Sequence, residues 1–80
     1  MKAKLINVND AHKLMRNVDI TEIYATTVEG AGGYLLNFDT KNEHYILSNH
    51  PNNKAMVFTQ ADSLLCEAQG LNIEEVAFRI

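Results

Sequence analysis

Cysteine, proline and tryptophan are nearly missing from this chain: one, one and none in 80 residues. A lone cysteine, Cys66, closes no disulfide within the chain, whereas a secreted domain this small ordinarily carries several. No apolar run approaches the roughly 18 residues that a membrane span needs. The opening Met-Lys-Ala-Lys-Leu-Ile-Asn has none of the long apolar stretch of a signal peptide. A cytoplasmic protein without membrane contact is therefore expected. With one proline and four glycines, no segment is repetitive or polar enough to be disordered.

Positive charge is scarce as well. Seven Lys and Arg against ten Asp and Glu leave a net charge of −3, while proteins that neutralise phosphates present a basic face. Lys2, Lys4, Lys13 and Arg16 form the only concentration, and a DNA- or RNA-associated accessory role would rest on them. Three histidines and one cysteine make no CxxC, HxH or HExxH, so neither a metal nor another cofactor is expected.

What is present reads as one α+β domain spanning 1–80. Ala3–Asn7 suits a short strand or a lead into a helix. Asn9 or Asp10 is placed to cap a helix whose apolar stripe is Ala11, Leu14, Met15 and Val18. Ile20–Val28 is dense in β-branched and aromatic residues and reads as a strand. Gly30, Gly32 and Gly33 then supply a reversing loop; no Lys-Ser/Thr and no helix follow, so the cluster is a turn and not a phosphate loop. Tyr34, Leu36 and Phe38 alternate with Leu35, Asn37 and Asp39, and Glu43–Ser48 resumes the alternation after Asp39-Thr-Lys-Asn42. That pattern is a β-hairpin. Asn49–Lys54 is a polar loop, Ala55–Phe58 a brief strand, and Gln60–Gln69 a helix with Thr59 as N-cap and Gly70 as left-handed C-terminal cap. Glu74–Ile80 closes the chain as a strand. The sum is a small, mainly antiparallel sheet of four to five strands with two helices packed on one face.

The groups from which a site could be assembled are His44, His50, Asp39, Ser48 and Cys66. Cys66 beside Leu65 reads as a small core residue and not a nucleophile. Glu74 and Glu75, adjacent on a strand, point to opposite faces and share no substrate. Tyr24, Tyr34 and Tyr45 could form a stacking platform for RNA bases, but the basic residues it needs are missing. His50, Asn52, Asn53 and Lys54 belong to the loop that a small ligand would use. Ile46 and Leu35 fall on the second face of the sheet, which two helices on one side leave uncovered. Apolar residues on both faces of so short a chain point to a partner, most economically a second copy.

From Gly33-Tyr-Leu-Leu36, through the second strand and loop to Phe58-Thr-Gln-Ala-Asp62 opening a helix that stops at Gly70, and on to Val76–Ile80, the chain resembles short accessory proteins of plasmids and other mobile elements. The resemblance covers the last sixty per cent of the chain or so and includes no catalytic motif. Similar proteins carry arginines before the short strand, where this chain has Asn52-Asn-Lys-Ala55. The expected function is thus a non-catalytic interaction module, a homodimer through its sheet, with Tyr24, Ile46 and the terminal strand as contact surface. A nucleic-acid accessory role and small-ligand binding are the alternatives.

Overall fold

The computed structural model describes residues 3–17, 20–28, 30, 32–49 and 54–79. The elements in chain order are β1 (Lys4–Ile6), α1 (Val8–Asn17), β2 (Ile20–Val28), β3 (Gly33–Thr40), β4 (His44–Asn49), β5 (Lys54–Ala55), α2 (Ala61–Gly70) and β6 (Ala77–Arg79). Val18, His50, Pro51, Asn52, Asn53 and Ile80, on which some expectations fell, lie outside the described residues, as does Lys2.

The sheet runs β1-β4-β3-β2-β6, with β5 bonded to β4 off that path. Its centre, β2-β3-β4, is an antiparallel meander, but β1 pairs parallel with β4 and β6 pairs parallel with β2. The expectation of a mainly antiparallel sheet of four to five strands is corrected: six strands are described and the sheet is mixed. The cause is the pair of helices, since a helical crossover returns the chain in the direction it left. Both crossovers, β1 to β2 through α1 and β4 to β6 through α2, progress the same way across the sheet. A common hand then sets both helices on one face. No helix of the described residues is long and apolar enough to cross a membrane.

Alternation decides what each face carries. Leu36 and Phe38 of β3, Ala25 of β2 and Leu47 of β4 are fully buried and form one cluster with Ala11 of α1 and Leu64 and Ala68 of α2. Tyr34, Tyr45, Ile23, Leu14 and Met15 pack around it. Tyr34 is accordingly a flank of the core. Cys66 corrects its expected place, because it is exposed on α2. The buried stripe of that helix is narrow, Leu64 and Ala68, and Leu65 and Cys66 turn away from the sheet.

The helix ends also differ from expectation. Asn7 caps α1, accepting the Asp10 backbone N–H on its Oδ1 at 2.8 Å; the helix begins earlier than Ala11 because Val8 already packs on the core. At α2 the cap is Gln60, in extended conformation and without a side-chain bond, and not Thr59. Gly70 is still helical, and the left-handed residue is Asn72 at φ 63°. The Asn72 N–H donates to the Gln69 carbonyl at 3.0 Å and Ile73 N–H to the Ala68 carbonyl at 2.9 Å. This is a Schellman closure, and it drops Leu71 and Ile73 into the core. Glu74 and Glu75 precede β6 instead of lying on a strand, and both are exposed.

The hairpin of β3 and β4 is paired only from Asp39↔His44 to Asn37↔Ile46. Beyond that point residues 54–58 bond to both strands. Met56 N–H donates to the Leu47 carbonyl at 2.9 Å, and Phe58 and Tyr34 exchange two bonds at 2.8 and 2.9 Å. Close passage of this segment requires a glycine at 33: a Cβ there would overlap Val57 Cγ1 and sit 3.1 Å from the Phe58 carbonyl oxygen. Gly33 precedes Tyr34, which faces the helices, so the missing side chain would point to the other face. Val57 occupies that space.

Candidate functional site

Among the described residues no helix covers the face of the sheet opposite α1 and α2, and Val57 lies over it only at Gly33. Strand register places its residues in rows. Leu5, Ile46, Asn37, Tyr24 and Ala77 lie side by side across β1, β4, β3, β2 and β6. On one side of that row come His44, Asp39 and Glu22; on the other, Leu35, Thr26 and Arg79. Thr21 is the extra residue of a bulge between the pairs Ile20↔Thr40 and Glu22↔Asp39, and its hydroxyl donates to the Asp39 carbonyl at 3.0 Å.

A polar array occupies the β2 half of this face. The Tyr24 hydroxyl donates to Asp39 Oδ1 at 3.2 Å and lies 3.4 Å from His44 Nε2. Asn37 Nδ2 faces three oxygens: the Tyr24 carbonyl at 3.3 Å, Thr26 Oγ1 at 3.0 Å and the Leu35 carbonyl at 3.1 Å. Two of these are carbonyls that only accept, so the amide orientation is settled and Oδ1 points to His44 Nε2, 2.9 Å away. Nε2 must then carry the hydrogen, which assigns the His44 tautomer from the network. Arg79 reaches over the Tyr24 ring, its guanidinium carbon 4.0 Å from the centroid, and pairs with Glu22. The His44 ring also stacks against Tyr24, centroids 6.1 Å apart. In this way Tyr24 is buried and Asn37 is only 2% exposed, on a face that no helix covers. Burial raises the Tyr24 pKa, the Asp39 charge and hydrogen bond add to the rise, and Arg79 opposes it. The hydroxyl stays protonated and engaged.

The other half of the face is apolar. Leu5 is 46% exposed and Val57 43%, and between them lie the half-buried Ile46, Leu35 and Val28. Ile46 is beside Leu5 in register, and Val28 opposes Gly33, over which Val57 sits. These residues form a diagonal stripe from the β1 edge to the Gly33 end. No family model, no curated protein and no solved structure matches this chain. What the face does must be read from the face.

The expected site residues fall as follows. Tyr24 and His44 meet in the polar array, and Ile46 adjoins it in the stripe. Lys54 is exposed at the start of β5, away from the array, while His50, Asn52 and Asn53 lie outside the described residues. Asp39 belongs to the array. Ser48 is buried on β4. A shallow cleft of about 400 Å³ opens at the β3–β4 turn, lined by Tyr24, Asp39, Lys41, Glu43 and His44 among others. Among the described residues no three His, Cys, Asp or Glu converge as a metal site. Of the basic group, Lys4 bonds Glu43 at 3.2 Å, and Lys13 and Arg16 lie on α1 behind the sheet.

Sequence reading missed Asn37, Glu22 and Arg79. Alternation set Asn37 and Asp39 on one face with Leu35, but which residues oppose them depends on register. For Arg79 it depends on a parallel pairing that three residues of β6 do not announce.

Proposed function

We propose that this chain is a small non-catalytic interaction module that self-associates through its sheet. The observation that carries the reading is the face that no helix covers, where Leu5, Ile46, Leu35 and Val57 make one apolar stripe beside a polar array bonded within itself. Lone exposed apolar residues are ordinary, whereas a contiguous patch rimmed by polar groups is the signature of a contact surface. Tyr24 is buried, so it contributes by anchoring Arg79 and His44 and not as contact surface. The nucleic-acid reading is disfavoured because the net charge is −3 and Lys13 and Arg16 lie on α1, away from the face. Small-ligand binding would use the cleft at Asp39 and His44, which lacks the enclosure of most ligand pockets.

Light scattering across a dilution series tests the proposal. The expected mass at high concentration approaches twice 9.0 kDa, and Ile46→Glu returns the monomer at every concentration while keeping the wild-type circular dichroism. A monomer mass for the wild-type chain throughout the series would refute self-association.

A further inference from the structure

From the same face we infer how two copies meet: sheet face against sheet face, with the Leu5–Ile46–Leu35–Val57 stripe as the seam, and not by extending the sheet edge to edge. The inference rests on the self-association proposed above and names its geometry.

The edges argue against the alternative. Unpaired edges are blunted by short strands, charged side chains and bulges, and both edges here carry such devices. β1 has three residues and bears Lys4, held to Glu43. β6 has three residues, and Arg79 folds back from it over Tyr24 to Glu22. The part of β2 that β6 leaves unpaired, before Tyr24, contains the bulge at Thr21. Among the described residues, β1 and β6 each offer an added strand three residues of regular backbone.

The face has the opposite character. Glu22 is paired with Arg79, and the Asp39 carboxylate, which accepts from the neutral Tyr24 hydroxyl, is the one charge of the array without an opposite charge bonded to it. Asp39 lies across the Ile46–Asn37 row from Leu35, so two copies whose apolar stripes meet on a two-fold axis keep that charge off the axis. Asn37 at the centre makes its hydrogen bonds within its own copy, so covering it strands no donor or acceptor. The molecule measures 33 × 25 × 24 Å, and one face offers about 600–800 Å², near the per-partner share of a standard interface. That area suits a dimer that dissociates on dilution.

Cysteine alkylation at three places tests the geometry. In a Cys66→Ser background, Leu5→Cys and Val57→Cys report on the two ends of the seam and Phe78→Cys on the β6 edge; the unmodified chain reports on α2 through Cys66. The expected result is at least a tenfold slowing of maleimide reaction at positions 5 and 57 as concentration rises through the dimer range. Phe78→Cys and Cys66 are expected to react at unchanged rates. Protection at position 78 or at Cys66, with positions 5 and 57 unprotected, would overturn the face assignment while leaving self-association standing. Unchanged rates everywhere, together with a monomer mass, would overturn both.

Discussion

Replacing Gly33 by alanine isolates one packing contact. The residue lies in β3 beneath the 54–58 segment, and an added Cβ overlaps Val57 Cγ1 and meets the Phe58 carbonyl oxygen at 3.1 Å. Inserting a methyl where there is no space costs about 1–3 kcal/mol. Alanine also narrows the unfolded ensemble, which offsets about 0.4–1 kcal/mol of that. The net expectation is a loss of about 1–2 kcal/mol. For 80 residues at about 2.1 cal/mol/K each, the unfolding entropy is about 0.17 kcal/mol/K, so Tm should fall by about 6–12 °C. Thermal unfolding followed by circular dichroism reads this directly. Val57→Ala removes the nearer obstacle, so the double variant should regain part of the loss relative to Val57→Ala alone, and a double-mutant cycle quantifies the coupling. If Gly33→Ala melts at or above the wild-type temperature, the close passage of residues 54–58 over β3 is not as described.

Two further expectations concern the polar array. Asn37→Ala deprives the His44 Nε2–H and three oxygens of their partner and should cost about 1–3 kcal/mol in urea unfolding; Asn37→Asp should cost more, having no donors and a buried charge, and equal stability of the two would contradict the assigned amide orientation. Because the Tyr24 pKa is raised, the fold favours the neutral phenol: its contribution is whole below the ordinary value of 10.0 and is lost as pH rises beyond it. Stability should therefore decline above about pH 10, and Tyr24→Phe should flatten that decline. A wild-type decline that survives in Tyr24→Phe would assign it to other groups.

The hairpin, the long β2 and the second helix were legible because period-two and helical patterns act over many residues at once. The direction of the outer strands was not. Lys4–Ile6 and Ala77–Arg79 are too short to show a preference, and their parallel pairing is imposed by the crossovers. Cys66 was misplaced because four small or apolar residues on α2 suggest a broad stripe, while the sheet buries only Leu64 and Ala68 of it. Tyr24 and His44 were each visible as candidates. That they share one site with Asn37 and Asp39 became clear only with the register. Asn72 took the role expected of Gly70 because asparagine also tolerates positive φ, and the helix found space for one more turn residue.

The mixed sheet also orders the steps by which the chain can assemble. β2, β3 and β4 follow one another and close short loops, so their meander needs little chain entropy to form. β1 and β6 each reach their neighbour only after a helix has been laid across the core, and each brings three residues of pairing. The two ends of the chain are thus the last parts added and the first to open, and amide exchange should run fastest along the outer strands. In a face-to-face pair Leu5 stands on β1 within the seam, so association in trans would slow the opening of that edge and leave β6 as it is.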